Sequence, residues 1–522
     1  MLQVLAKYYH TLKHLQWVQA KHQLLHHLPG GGQRAMQPAG PLPAIEAQQA
    51  LQASIPQPKR YLGNLRFEFL NLSHQFATDI DWNHSQYGKL WTYNLNYFEY
   101  LCQEGLSAED GLQLIRSFVK QEADILDGLE PFPISLRLIN WIKFLLKHNI
   151  QDAVIQQSMW LQLNHLSRHP EYRLLGNHLL ENAYGLCFGA VYFGEERIFR
   201  QAVQLLREQL TEQVLADGAH FELSPMYHQL MLYRLLDVID LLKNNRPEDE
   251  SLLVFLEQKA ALMLGWMQQM TFANGQMPLL NDASPGIAPT ASELLQCGKQ
   301  LGIEPEKQPL KASGYRKVSR PDCEMICDVG QIGPDYIPGH AHSDTFNFVL
   351  AHKGQPVIVD VGVSTYEKNA RRQWERSTAA HNTVMVDGVD QSEVWGGFRV
   401  AQRARIISLQ ESPEQIKASH DGYRRMGIIH SRCFRFEENS IEIVDQLDHP
   451  KEAKAFLHFH PTQVVRQEGS DLVGSFGRVE IRNASKIELE SYQRAMGFNK
   501  TAEATKVVIH FIQQVHTKFL LS

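Results

Sequence analysis

The spacing of apolar residues changes once along this chain, and that change limits what it can fold into. Up to about residue 300 they recur at three- and four-residue intervals, as on amphipathic helices; beyond about residue 310 they alternate, as on strands. "SAEDGLQLIRSFVKQEADIL" opens on Ser107 as an N-cap with Asp110 three residues on. "SPMYHQLMLYRLLDVIDLL" puts Ser224 at a cap and Pro225 at the first helical position, where its missing N–H is harmless. Further helices are predicted near 133–148, 153–167, 177–192, 196–216 and 249–271. Short loops between them imply antiparallel hairpins in a bundle or toroid, and the Gly/Pro-rich stretch 28–43 sets an N-terminal helix apart.

In the second half, "FNFVLAHKGQPVIVDVG" reads as a hairpin turning at Lys353 to Pro356, followed by strands at short intervals. The expected architecture is α+β and multidomain: a helical domain over 1–300, then an antiparallel β-sandwich or multi-sheet domain over 301–522, with the junction inside 284–316. At 522 residues the chain is long enough for both. A formal charge of -6 provides no basic field for nucleic acid, although a local basic cleft for an acidic ligand remains compatible with it. The longest apolar run, "AYGLCFGAVYF" at 183–193, is too short to span a bilayer and reads as a buried helix. Lys7 and Lys13 interrupt any signal-peptide core, so the expected compartment is cytoplasmic, with the periplasm as the alternative. The six scattered cysteines read as small buried hydrophobes.

Four clusters could carry chemistry or binding. In "PGHAHSDTFNF", His340 and His342 fall on one side of an extended segment. Asp360 ends the apolar strand "VIVDVG", and His381 precedes the strand of "STAAHNTVMV". Two histidines and a carboxylate suit a tetrahedral zinc site with a fourth position for water; separately satisfied loop histidines are the alternative. "GNHLLENAYG" sets Asn177, His178, Glu181 and Asn182 on one helix face, unless Asn177 is merely the cap. "FELSPMYHQ" places Tyr227 in a first turn, where the positive helix end eases deprotonation of a phenol. Trp82, Trp91, Tyr93, Tyr97 and Trp141, interspersed with Asn94, Asn96, Arg137 and Asn140, read as walls of a saccharide cleft or as helix-packing core.

These stretches, in this order, resemble the heparinase II/III-like polysaccharide lyases, a family that includes heparin, chondroitin and oligoalginate lyases. The resemblance rests on "GHAHSD…FNF…VIVDVGVSTYE…RSTAAHNTVMVDG" with "NHLLEN" and "SPMYH" upstream. It implies an N-terminal (α/α) toroid before the β domain and cleavage of a uronate-containing acidic polysaccharide by β-elimination. Tyr227 and His340 would transfer protons, while Asn177 and His178 would neutralise the uronate carboxylate. His342, Asp360 and His381 would hold one zinc ion, mainly structural, which requires a local twist at Ala341 to part the two histidines. Glu181, Arg376, Trp395 and Arg399 are expected subsite residues, beside Arg137 and Trp141 of the aromatic stretches. Without a signal sequence, the chain is expected to act in exopolysaccharide or capsule metabolism. Two other readings compete: a zinc-dependent glycan hydrolase with Asp344 as base, and a non-catalytic glycan-binding protein.

Overall fold

The computed structural model describes residues 2–28, 36–37, 39–45 and 48–522, so half of the predicted 28–43 loop lies outside the described residues. The helices start where their caps were read. Ser107 Oγ accepts from the Asp110 N–H at 3.0 Å ahead of Ala108–Gln121, and Ser224 Oγ from the Tyr227 N–H at 3.4 Å at the start of Pro225–Asn245. The helix Gly176–Phe193 is the hub of this half. It packs against Pro131–Lys147, Ala153–Arg168, Glu196–Gln213 and Pro225–Asn245, which explains why its sequence is apolar on all sides and only His178 escapes burial. Antiparallel helix pairs around this hub form the expected (α/α) toroid.

Gly185 lets two of these helices touch. A Cβ there would lie 2.7 Å from the Ser135 Cα, a backbone atom that cannot rotate away. We predict that Gly185→Ala lowers stability by about 1–3 kcal/mol through overpacking. An unchanged urea midpoint would show that the helix pair has slack.

The second half is antiparallel throughout its named sheets. Tyr315–Arg320, Cys323–Asp328, Phe348–His352 and Gln355–Ile358 form one sheet in chain order, and an eight-stranded and a further four-stranded sheet stack behind it. The hairpin turn is tighter than predicted. Lys353 and Gly354 both adopt positive φ, a two-residue turn that leaves Gln355 and Pro356 paired with His352 and Ala351.

The helical core continues into the sheets through Tyr315, Ile326, Val349, Val363 and Phe498. The Tyr315 hydroxyl donates to the Leu223 carbonyl at 2.6 Å, and Asn281 Nδ2 donates to the same oxygen at 3.1 Å. The Tyr315 bond ties the turn ahead of Pro225–Asn245 to the first strand of the sheet half, and Asn281 reinforces it. Among the described residues, no helix is long and apolar enough to cross a membrane.

Candidate active site

The seam between the halves is built on strained backbone. Leu175, Leu223 and Asn281, none of them glycine, have φ of 63°, 58° and 54°. Each immediately precedes a helix start or a buried polar residue, and such outliers persist only where their surroundings enforce them. Leu175 turns the chain into Gly176–Phe193, which brings Asn177 to the seam. Leu223 does the same for Ser224 and Tyr227.

His340 arrives from the β half, and its ring stacks on Tyr227 with centroids 3.8 Å apart. The Tyr227 and Tyr366 hydroxyls lie 3.3 Å apart, and Asn177 Nδ2 is 3.4 Å from His340 Nε2. Asn177 is not a helix cap. Its Nδ2 donates to both oxygens of Glu222, at 3.0 and 2.9 Å, and its backbone N–H donates to the same carboxylate. Glu222 Oε2 is also 3.4 Å from His340 Nε2. The helix end does not govern the phenol. Burial pushes Tyr227 above its ordinary range despite the Tyr366 hydrogen bond, so its hydroxyl stays protonated.

Both histidines of the HxH pair contact one carboxylate, each through a different oxygen, while their other ring nitrogens face Asn177 and the His381 side respectively. Asp282 Oδ2 lies 2.9 Å from His340 Nδ1, and Asp282 Oδ1 lies 2.8 Å from His342 Nε2. The Arg372 guanidinium closes on the same carboxylate with both of its terminal nitrogens, one at 2.7 Å. Burial alone would raise the Asp282 pKa, but the Arg372 charge and the hydrogen bonds from His340, His342 and Arg372 hold it well below the usual carboxylate range. Neither Glu222, Asp282, Arg372 nor Tyr366 was singled out from sequence. Glu222 stands two residues before Ser224 within the quoted "FELSPMYHQ", and that proximity was its only signal.

His178 lies beside this cluster, partly exposed, with Nδ1 3.3 Å from Glu171 Oε2 and its ring against Phe132. Burial works against its protonation, but the charge and hydrogen bond of Glu171, with Glu222 behind, raise its pKa overall. Tyr97 packs between Tyr93 and Phe132, extending an aromatic wall away from His178.

The remaining expected contacts lie elsewhere. Trp82, Trp91 and Trp141 are fully buried in aromatic stacks, and Arg137 is sealed among Gln162, the Asn96 carbonyl and the Gly128 carbonyl. Those four belong to the helical core rather than to a cleft. Glu181 is buried 3.9 Å from Arg234, and burial pushes its carboxyl up to about 8. Arg376 is also buried and donates twice to the Ala341 carbonyl, so it secures the loop between the two histidines. Trp395 and Arg399 stack on each other, 4.8 Å from guanidinium to ring, on a two-stranded hairpin. From that hairpin it is Phe398 that reaches His340 and Tyr366.

Among the described residues, no group of three or more His, Cys, Asp and Glu side chains is arranged as a ready metal site. The donor chemistry nevertheless fits a zinc ion in two of the three expected positions. His342 Nδ1 and His381 Nε2 are buried without a partner, on rings 5.2 Å apart. Asp360 is engaged: Oδ2 faces His381 Nδ1 at 2.8 Å and accepts from Asn347 at 2.6 Å, and Oδ1 accepts from the Gly362 N–H. As arranged, it orients a histidine in the manner of an outer-shell carboxylate.

A helical toroid leading into stacked antiparallel sheets, with a Tyr/His/Asn cluster at their seam, is a two-domain scaffold with its polar centre at the junction. The chain belongs to the heparinase II/III-like family: residues 133–301 match its N-terminal model and residues 303–519 its C-terminal model. It is 24% identical over 336 residues to a heparin-sulfate lyase of Pedobacter heparinus, covering 58% of this chain and 48% of that protein. To a heparin-sulfate lyase of Bacteroides stercoris it is 23% identical over 327 residues, covering 55% and 46%. The chain thus spans about half the length of the curated relatives it matches. Its fold superposes on a crystal structure of heparinase III with a TM-score of 0.66 at 14% identity, covering 86% of this chain and 80% of the other.

Proposed function

We propose that this chain is a polysaccharide lyase that cleaves a uronate-containing acidic polysaccharide by β-elimination. The observation that carries the reading is the convergence of Tyr227, His340 and Asn177 from both halves onto one point, with His178 alongside. The names of the related heparin-sulfate lyases support it. The Asn177 amide, turning from Glu222, and the His178 imidazole, whose proton affinity Glu171 raises, take the uronate carboxylate, lowering the cost of negative charge as the C5 proton leaves. Asp282 accepts from His340 Nδ1, which leaves the lone pair on Nε2; the contacts of Nε2 to Asn177 Nδ2 and Glu222 Oε2 are both long, at 3.4 Å, and give way as Nε2 takes that proton. The C4–O4 bond then breaks, a C4=C5 double bond forms, and the protonated Tyr227 hydroxyl donates to the leaving O4. The partly exposed wall of Tyr93 and Phe132 suits stacking against sugar rings.

The test is ultraviolet absorbance during incubation with alginate, heparan, chondroitin, hyaluronate and bacterial capsule polymers. A rise marks an unsaturated uronate and identifies the polymer. Chains that shorten without a rise would overturn elimination in favour of hydrolysis. His342 and His381 are fully buried, which leaves no room for substrate at a metal there and disfavours the hydrolase reading.

The same proposal includes one structural zinc ion. His342 and His381 would hold it through their unpartnered nitrogens, with Asp360 fixing the His381 ring from behind, and the ion would tie the 340–342 loop to the sheet. We predict about one zinc per purified chain by elemental analysis, and a lower melting temperature after chelation. A metal-free chain that melts as before would remove zinc from the account.

A further inference from the structure

The two helices Leu2–Leu12 and Trp17–His27 are folded inside out. Several of their polar side chains face the protein. Lys7 pairs with Glu393 at 3.2 Å, Thr11 accepts from Trp395 Nε1 at 3.2 Å, and Gln19 donates to the Leu174 and Tyr336 carbonyls, each at 3.3 Å. Most of their large apolar side chains face solvent, Tyr8 against Trp395 being an exception. Leu5, Tyr9 and Leu12 form an i, i+4, i+7 stripe on the first helix, each more than half exposed. Trp17 and Leu24 repeat the pattern on the second, at 80% and 67% exposure. A soluble surface does not normally leave such a patch uncovered.

Charge identifies what covers it. No aspartate or glutamate occurs before Glu46, and Lys13 and Lys21 are exposed among the apolar residues. A second copy packed two-fold on this face would set lysines against lysines, because the carboxylates beside the helices, Glu212, Asp335 and Glu393, are already engaged by Tyr336, by Arg403 with Arg405, and by Lys7. Another protein would have to supply both an apolar groove and the acidic groups. An anionic bilayer supplies both at once: acyl chains for leucine, a headgroup zone for tryptophan and tyrosine, and negative charge for lysine.

We propose that residues 2–28 are a peripheral membrane-binding element that seats the protein on an anionic lipid surface. The polar contacts to Glu393, Trp395, Leu174 and Tyr336 hold the helix pair on both halves of the molecule, so the element carries the seam with it to the surface. This inference does not depend on the lyase reading, because its readout is binding alone.

The test is flotation of the full-length protein with vesicles of phosphatidylcholine alone and of phosphatidylcholine mixed with phosphatidylglycerol. The native chain floats with the mixed vesicles, far less with the neutral ones, and loses binding as salt rises. The Trp17→Glu/Leu24→Glu variant, altered only at exposed positions and checked for an unchanged melting temperature, binds about tenfold or more weakly. Lys13→Glu/Lys21→Glu, prepared separately, loses the preference for phosphatidylglycerol. Native protein that remains unbound with both vesicle types overturns the proposal. So does a dimer, by light scattering, that Trp17→Glu returns to monomer while vesicle binding is absent; that result assigns the face to a second copy.

Discussion

Tyr227→Phe is expected to slow turnover of a uronate polymer by about 10²–10⁴-fold while leaving the fold intact. The substitution removes one hydroxyl and keeps the ring. The stack on His340 at 3.8 Å survives, and the hydrogen bond lost is a 3.3 Å contact to Tyr366 that a local water can replace. The loss should appear in kcat, because the hydroxyl acts only as O4 departs, and KM should change little. Absorbance assays on native and variant protein, with melting temperatures alongside, make the comparison. A variant with near-native kcat would exclude Tyr227 from proton transfer and leave His340 to act without it.

Asp282→Asn should have the second largest effect, on stability as well as rate. The buried Arg372 guanidinium has its main ion pair with Asp282, and leaving it without that anion costs about 3–5 kcal/mol. The same change leaves one acceptor oxygen and one NH2 group where two oxygens served, so His340 Nδ1 and His342 Nε2 cannot both keep their partner, and the charge that holds His340 is lost. Asp282 is therefore a positioning residue, and two readouts separate its roles. Adding Arg372→Met removes the orphaned charge and should return much of the urea stability, whereas kcat should stay low because His340 remains unanchored. If the double variant regained both stability and kcat, Asp282 would serve only to neutralise Arg372.

The helical half was legible because capping and apolar period are local properties, as at Ser107, Ser224 and the all-apolar 183–193. Asn177, His178, Tyr227 and His340 were found through short motifs, and the structure gathers them. Their supports were not legible. Glu222 meets Asn177 across 45 positions, and Arg372 meets Asp282 across 90, so neither pair has a spacing to recognise. The tryptophans show the opposite limit. An aromatic with amides nearby looks the same in a cleft wall and in a core, and burial placed Trp82, Trp91 and Trp141 in the core. The alternation rule set His340 and His342 on one side, and they do share Asp282. It was the division expected from the resemblance that called for a twist.

The bonds from Tyr315 and Asn281 to the Leu223 carbonyl have a consequence for how such a chain changes over generations. The polar centre belongs to neither half: Asn177 and Tyr227 are inherited with the helices, His340 and Tyr366 with the sheets. A recombinant that joins the helical half to sheets from a distant relative keeps every motif, yet it aligns Tyr227 with His340 only if the seam matches as well. The aromatic wall, built within the helical half alone, can therefore change one residue at a time, whereas the junction tolerates only paired changes.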